Sequence, residues 1–256
     1  MNLTVFSART RAPSSGRAAF DRNPFERYRR EELVEVRRAD VKEPEMLVKL
    51  KFLWKMCRFE NEKNETGVEF YHLTMKLLKE HNVSCSADDI KLFCVEIIAY
   101  VEERGFSTKS GAFISALINH GTDEDYAIDV RPIDGTINYL CFENIKNVTI
   151  YGNLGDYICQ EMGWGRVTIH GNVISIGGWA TTQQTEGEVI VHGNVENDPA
   201  FKLHEGKRVI HGNVSLFVGQ FMRGGQLHIN GKFPGISSEF EKGRIYHNGE
   251  LISGNR

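Results

Sequence analysis

The sequence predicts an α+β protein in which a small helical domain leads into a parallel β-helix with coils of about 19 residues. Three observations carry this expectation. Between Pro44 and Asn119 apolar residues recur with a period of about 3.6, which is the helical spacing. After Gly121 that period is lost. From there an apolar-x-Gly-Asn motif returns at a nearly constant interval. The expected divisions are an Arg-rich arm over 1–43, a helical domain over 44–121 and a β-helix over 122–256.

Nine arginines fall in the first 38 residues, and no acid occurs up to Phe20. Such a composition is expected of a flexible basic arm. A transit peptide is similarly Arg- and Ser-rich; an untargeted tail is the other reading. Within the helical domain, Val68, Tyr71, Met75 and Leu78 share one face, as do Ile90, Phe93, Ile97 and Val101. Ser86 with Asp89 three residues on is expected to cap the second of these helices, and Gly105 to stop it. Residues 112–119 read as a short third helix closed by Gly121, and 47–58 as a further one.

The repeat runs Ile150-Tyr151-Gly152-Asn153, Ile169-His170-Gly171-Asn172, Val191-His192-Gly193-Asn194 and Ile210-His211-Gly212-Asn213. It weakens to Ile229-Asn230-Gly231-Lys232 and Tyr246-His247-Asn248-Gly249. Successive glycines lie 19, 22, 19, 19 and 18 residues apart, with a three-residue insertion around 179–185. Units too short to fold alone gain a core by stacking. Ile150, Ile169, Val191, Ile210 and Ile229 should then form one inward column, and Leu154, Val173, Val195, Val214 and Phe233 a second. Met162, Leu203, Met222 and Phe240 make a third. The turn glycines, Gly152, Gly171, Gly193, Gly212, Gly231 and Gly249, are expected to supply positive φ or close backbone approach, and the asparagines beside them to tolerate a left-handed conformation. Segments 127–130 and 137–140 form a first, atypical coil that joins the stack to the helices, and 244–256 either caps its far end or marks a contact surface.

The unit from Asn213 to Gly231, with Gly219, Met222, Gly224 and Gly225, resembles the repeat of the glutamate synthase C-terminal GXGXG domain, a repeat that also occurs in one of the subunits of formylmethanofuran dehydrogenase. Asn153, Gly155, Tyr157, Met162 and Gly165 match it in part, whereas the units at Gly171 and Gly193 lack the Met and Gly-Gly features. The resemblance spans 127–252 and does not reach the helices, which are similar in placement to those of a group of uncharacterised archaeal proteins. It implies a right-handed β-helix with a structural role in contacts between subunits and no chemistry to carry over.

Residues alternate across a strand, so the column beside the turn should point outward: Tyr151, His170, His192, His211, Asn230 and Asn248, with His228 on the same face. Three imidazoles about 4.8 Å apart would suggest a metal, but strand geometry holds them parallel rather than convergent. An exposed polar ladder is the alternative. Trp179, in the polar insertion with Gly177, Gly178 and Gln183, is the best-placed aromatic for ligand contact; the alternative folds it back on the coil. Acids are otherwise dispersed, with Glu186 and Glu205 sharing a corner column, and no nucleophile motif accompanies the Ser, Cys and His present. A hexapeptide-type acyltransferase is disfavoured because Asp156, Ser175 and Asn197 occupy positions that need small aliphatics.

With 256 residues, 41% hydrophobic and a net charge of -3, the chain is not built as a whole to hold nucleic acid; only the Arg-rich arm could touch it. The most apolar stretch, 93–101, is interrupted by Glu96, so no membrane span is expected. Five scattered cysteines, Cys57, Cys85, Cys94, Cys141 and Cys159, read as free thiols in a reducing, cytoplasmic setting. The functional expectation is a scaffold or subunit-interaction protein that is not an enzyme and needs no cofactor, with a protein partner or its own copies as ligand. The alternatives are a carbohydrate or polar-ligand module along the histidine strip and Trp179, and a sugar-active or acyl-transfer enzyme using His170, His192 or His211.

Overall fold

The computed structural model describes residues 43–58, 66–177 and 187–254. The arm and the Trp179 insertion, with Glu186, therefore lie outside the described residues. Residues 43–256 form one compact unit. Helices α1 (Glu45–Met56), α2 (Gly67–Glu80), α3 (Ala87–Glu96) and α4 (Phe106–His120) come first, with a 3-10 turn at Ile97–Tyr100. Among the described residues ten strands follow: β1 (Asp125–Asp129), β2 (Asn147–Tyr151), β3 (Arg166–His170), β4 (Val173–Ser175), β5 (Glu188–Val191), β6 (Val195–Asn197), β7 (Lys207–Ile210), β8 (Arg223–Ile229), β9 (Lys242–His247) and β10 (Glu250–Ser253). This is the helical domain and parallel β-helix that the sequence predicts.

Ser86 and Asp89 form the expected reciprocal cap, and Thr66 with Glu69 forms a second one on α2. Gly105 is left-handed, with φ 74°, but it opens α4 rather than closing α3. That displaces the start of the last helix from the expected 112 to Phe106, because Ser107, Thr108 and Lys109 carry no helical apolar spacing of their own. Trp54 fills the centre of the bundle against Phe93, Phe106 and Phe113, and the ammonium of Lys109 sits 3.9 Å over its ring.

The helices close one end of the stack. On α4, Ser115 Oγ donates to Tyr139 O at 3.0 Å, and Asn119 Nδ2 donates to the carbonyls of Phe142 and Glu143 at 3.0 and 3.1 Å. Tyr71 of α2 packs edge-on against Phe142 at 4.9 Å. The first coil is therefore covered, and α3 packs beside its strand β1.

The main sheet runs β1-β2-β3-β5-β7-β8-β9, all parallel, and β10 turns back antiparallel on β9 to finish the far end. Strands β4 and β6, with bridges from Ile137 to Leu154 and from Val195 to Val214, make a second wall. The expected inward columns are buried: Ile150, Ile169, Val191, Ile210 and Ile229 are all fully enclosed, as are Leu154, Val173, Val195 and Val214, and Met162, Leu203 and Met222. Phe233 and Phe240, in the last coil, are partly covered.

Why the turn needs Gly-Asn is visible in the stacking. A Cβ on Gly171, Gly193, Gly212 or Gly231 would run into the turn-glycine carbonyl of the preceding coil, so close approach rather than positive φ is the requirement there. Asn248 in the last repeat is left-handed, with φ 49°, as asparagine tolerates, but Asn153, Asn172, Asn194 and Asn213 keep ordinary φ. Their side chains form a ladder instead. Each Oδ1 accepts the backbone N–H one coil on, at 2.9 Å from Asn172 and 2.8 Å from Asn194, Asn213 and Lys232.

Left-handed residues occupy the third corner. Tyr139, Cys141 and Glu143, then Tyr157, Cys159 and Glu161, and later Phe217 and Phe221, have φ between 49° and 62°. The alternation lets the corner pair with its neighbours, as in Cys159 N–H to Leu140 O at 3.0 Å and Glu143 N–H to Gln160 O at 2.9 Å. Non-glycine residues hold such backbone only when their surroundings over-determine it. One further inward column, not apparent in the sequence, runs Val148, Val167, Val189, Arg208, Leu227 and Ile245. Arg208 is 2% exposed and donates from one terminal nitrogen to Ile176 O and Pro199 O at 3.0 and 3.1 Å. Gly177 lies against it, since a Cβ there would meet both terminal nitrogens at 3.2 Å, and burial pulls its guanidinium down to about 10.

Candidate functional site

The outer face of the seven-stranded parallel sheet gathers most of the residues singled out in the sequence. Strand alternation sends three columns outward. One is Asp125, Asn147, Arg166, Glu188, Lys207, Gln226 and Arg244. The middle one is Ala127, Thr149, Thr168, Ile190, Val209, His228 and Tyr246. The third is Asp129, Tyr151, His170, His192, His211, Asn230 and Asn248, held in register by β2–β3 pairing and by N–H bonds from His192, His211, Asn230 and Asn248 to the coil before.

In the third column the rings stack face to face. Tyr151 to His170 is 5.1 Å at 10°, His170 to His192 4.6 Å at 4°, and His192 to His211 4.9 Å at 14°. Asn230 Nδ2 and His211 Nδ1 continue the ladder with a 3.0 Å hydrogen bond. At the near end Arg131 lies over the Tyr151 ring at 5.5 Å and is held by Asp129 at 2.6 Å. All three histidines are exposed. Burial, and then the like charges of His170 and His211, hold His192 below the ordinary imidazole range.

His228 sits in the middle column rather than the histidine column, stacked on Tyr246 at 4.4 Å and bonded to Gln226 at 3.2 Å. Burial, then Lys207 and Arg244, push it down. The first column is a charge ladder in which Glu188 bonds Arg166 at 2.8 Å and pairs with Lys207 at 3.3 Å. Burial pushes Glu188 up, but these two cations outweigh it and leave the carboxyl below its usual range. Residue type alone points to neither this ladder nor the middle column. Counting back two and four positions from each histidine in the aligned repeats would have exposed them.

Chemically, the stack presents parallel ring planes, so the imidazole lone pairs run side by side. Among the described residues no group of three or more His, Cys, Asp or Glu is placed to hold a metal ion. Two adjoining clefts lie at the corner where Gly206, Gly225 and Gly243 recur, away from the histidines. One is about 480 Å³, lined by Gly225, Phe240, Lys242, Gly243 and Arg244, and the other about 340 Å³, lined by Glu205, Gly206, Lys207 and Arg244. Two carboxylates do come together elsewhere. Glu143 and Glu161 sit at equivalent left-handed positions of successive coils, and burial, then Glu143, raises Glu161 while His72 lowers it. That pair borders α2 and lines neither cleft.

No described helix is long and apolar enough to cross a membrane. The five cysteines are buried and unpaired. Comparison with protein-family models, curated proteins and solved structures finds no match to this chain.

Proposed function

We propose that this protein is a scaffold or subunit-interaction protein without catalytic chemistry of its own, and that it engages its partner through the outer face of the parallel sheet. One observation carries the reading: seven strands place three in-register ladders on one exposed surface, while the end of the stack nearest the helices is covered by them. Strand arrays of this kind offer broad, rigid surfaces whose contacts are set by rows of side chains rather than by a pocket. The Gly-Asn turns, Met162 and Met222 and the Gly224-Gly225 pair support a GXGXG-type β-helix of the kind found in glutamate synthase, for which a structural role is the expectation.

The polar-ligand alternative draws on the same strip. An exposed stack formed by Tyr151, His170, His192, His211 and Asn230 would suit a sugar or another flat polar molecule. Purification of the tagged full chain from its native cell, followed by native mass determination, separates the two. A stoichiometric protein partner or homo-oligomer supports the scaffold. A monomer carrying glycan, metal or coenzyme A overturns it.

A further inference from the structure

We infer that Cys141 and Cys159 form a dithiol site inside the β-helix that a small hydroperoxide oxidises to a disulfide, with Cys159 as the attacking sulfur. This goes beyond the scaffold reading and does not depend on it. The two cysteines lie one coil apart at equivalent left-handed positions, with φ 62° and 56°. Tyr139 N–H donates to Asp156 O at 2.9 Å, Cys159 N–H to Leu140 O at 3.0 Å and Glu143 N–H to Gln160 O at 2.9 Å, which fixes the register on both sides of the pair. Backbones of adjacent coils run about 4.8 Å apart, inside the roughly 4.4–6.8 Å between Cα atoms that a disulfide spans. Both side chains are enclosed, Cys141 at 1% exposure and Cys159 at 0%.

The column continues one coil further. Gly177 N–H donates to Ile158 O at 2.7 Å, just as Cys159 N–H donates to Leu140 O, so Gly177 follows Cys159 in the stack. Glycine puts no side chain there, and the terminal nitrogens of Arg208 lie 3.2 Å from where its Cβ would be. A buried guanidinium thus stands where the third side chain of the column would begin. Among the described residues Arg208 Nε has no hydrogen-bond partner, and the one charge that favours the cationic form of Arg208 is that of Cys159. A buried cation favours a thiolate beside it, and the thiolate is the nucleophilic form of cysteine. Cys141 keeps its proton: a hydrogen bond with Cys159, then burial and the charge of Cys159, push its thiol well above the ordinary range. The two sulfurs therefore divide the roles of attacking and resolving thiol.

Hydrogen peroxide is close to water in size, which is what an enclosed site demands of its oxidant. Cys159 gives up its proton and its sulfur attacks one peroxide oxygen. The S–O bond forms, the O–O bond breaks, and the departing hydroxide takes the proton and leaves as water. Cys141 then attacks the sulfur of the sulfenic acid. The S–S bond forms, the S–O bond breaks, and the second hydroxide carries off the Cys141 proton as water. Two thiols are oxidised and one peroxide is reduced. The product ties the first coil, the one the helices cover, to the second.

The test is hydrogen peroxide treatment of the native full chain, followed by alkylation in denaturant and peptide mass spectrometry. Cys141 and Cys159 should be joined within one chain, while Cys94, whose thiol burial raises to about 12, stays free. Cys141→Ser should stop the reaction at a sulfenic acid on Cys159 that dimedone captures. Cys159→Ser should slow oxidation of Cys141 at least about tenfold. Arg208→Met removes the charge but keeps an unbranched side chain, and should slow attack by Cys159 about tenfold; if that variant does not fold, the two serine variants still decide. A native chain that keeps both thiols free, a linkage that forms only in denaturant, or a Cys159→Ser variant oxidised at Cys141 as fast as wild type overturns the inference.

Discussion

Replacing Asn194 probes what the Gly-Asn turn is for. Asn194 Oδ1 accepts the N–H of Asn213 at 2.8 Å, and the N–H of Asn194 donates to Asn172 Oδ1 at 2.8 Å. Asn194→Ala removes one acceptor. The site is exposed, so water recovers part of the loss, and the net cost should be that of one hydrogen bond, about 1 kcal/mol, or about 2–4 °C in melting temperature for a unit of this size. Asn194→Asp keeps the acceptor and should stay within about 0.5 kcal/mol of wild type. Asn194→Gly decides the matter. Were a left-handed backbone the reason for asparagine, glycine would be neutral or better. Because Asn194 keeps ordinary φ, glycine loses the hydrogen bond and adds about 0.5–1 kcal/mol of chain entropy, so it should be the least stable of the three. Urea unfolding monitored by far-UV circular dichroism gives the order. A glycine variant at least as stable as the alanine one would refute the ladder as the role of this residue.

Gly212→Ala pushes a methyl into Gly193 O and should cost about 3 kcal/mol in the same unfolding assay, with neighbouring coils forced apart. Arg208→Ala deletes the stem that fills the core and leaves Ile176 O and Pro199 O unpaired; about 3–5 kcal/mol of destabilisation is expected. For His192 the folded value lies below the unfolded one, so protonation favours unfolding. Its unfavourable contribution is absent above the unfolded value and grows as pH falls through the window below it. Stability should therefore decline on acidification, and an NMR titration should place the His192 midpoint below that of an unstructured histidine. His170→Asn with His211→Asn should raise that midpoint only in part, because burial is the larger cause.

Much of this fold is written in the repeat. Ile150, Ile169, Val191, Ile210 and Ile229 recur in register, and stacking converts that spacing directly into a buried column and, one residue on, into the exposed rings. The rest is hidden for physical reasons. Tyr139, Cys141, Tyr157 and Cys159 adopt left-handed backbone although nothing in their residue type favours it; the pairing of adjacent coils imposes it. Arg208 sits in an apolar column where Gly177 leaves room for its guanidinium and the carbonyls of Ile176 and Pro199 accept from it, which is a packing relation between distant positions and not a local pattern. Thr149, Thr168 and Val209 attract no notice as residue types, and only their alignment across coils makes them a surface.

The most direct test of the sheet face as the interaction surface is diethyl pyrocarbonate labelling of His170, His192 and His211, compared between purified protein at high dilution and protein in its native extract. An occupied face predicts strong protection of all three in the extract, with His81 and His120 on the helices unchanged as internal references. Equal reactivity in both settings, in an extract where the protein is shown to be part of a complex, would place the contact elsewhere and contradict the assignment of this face.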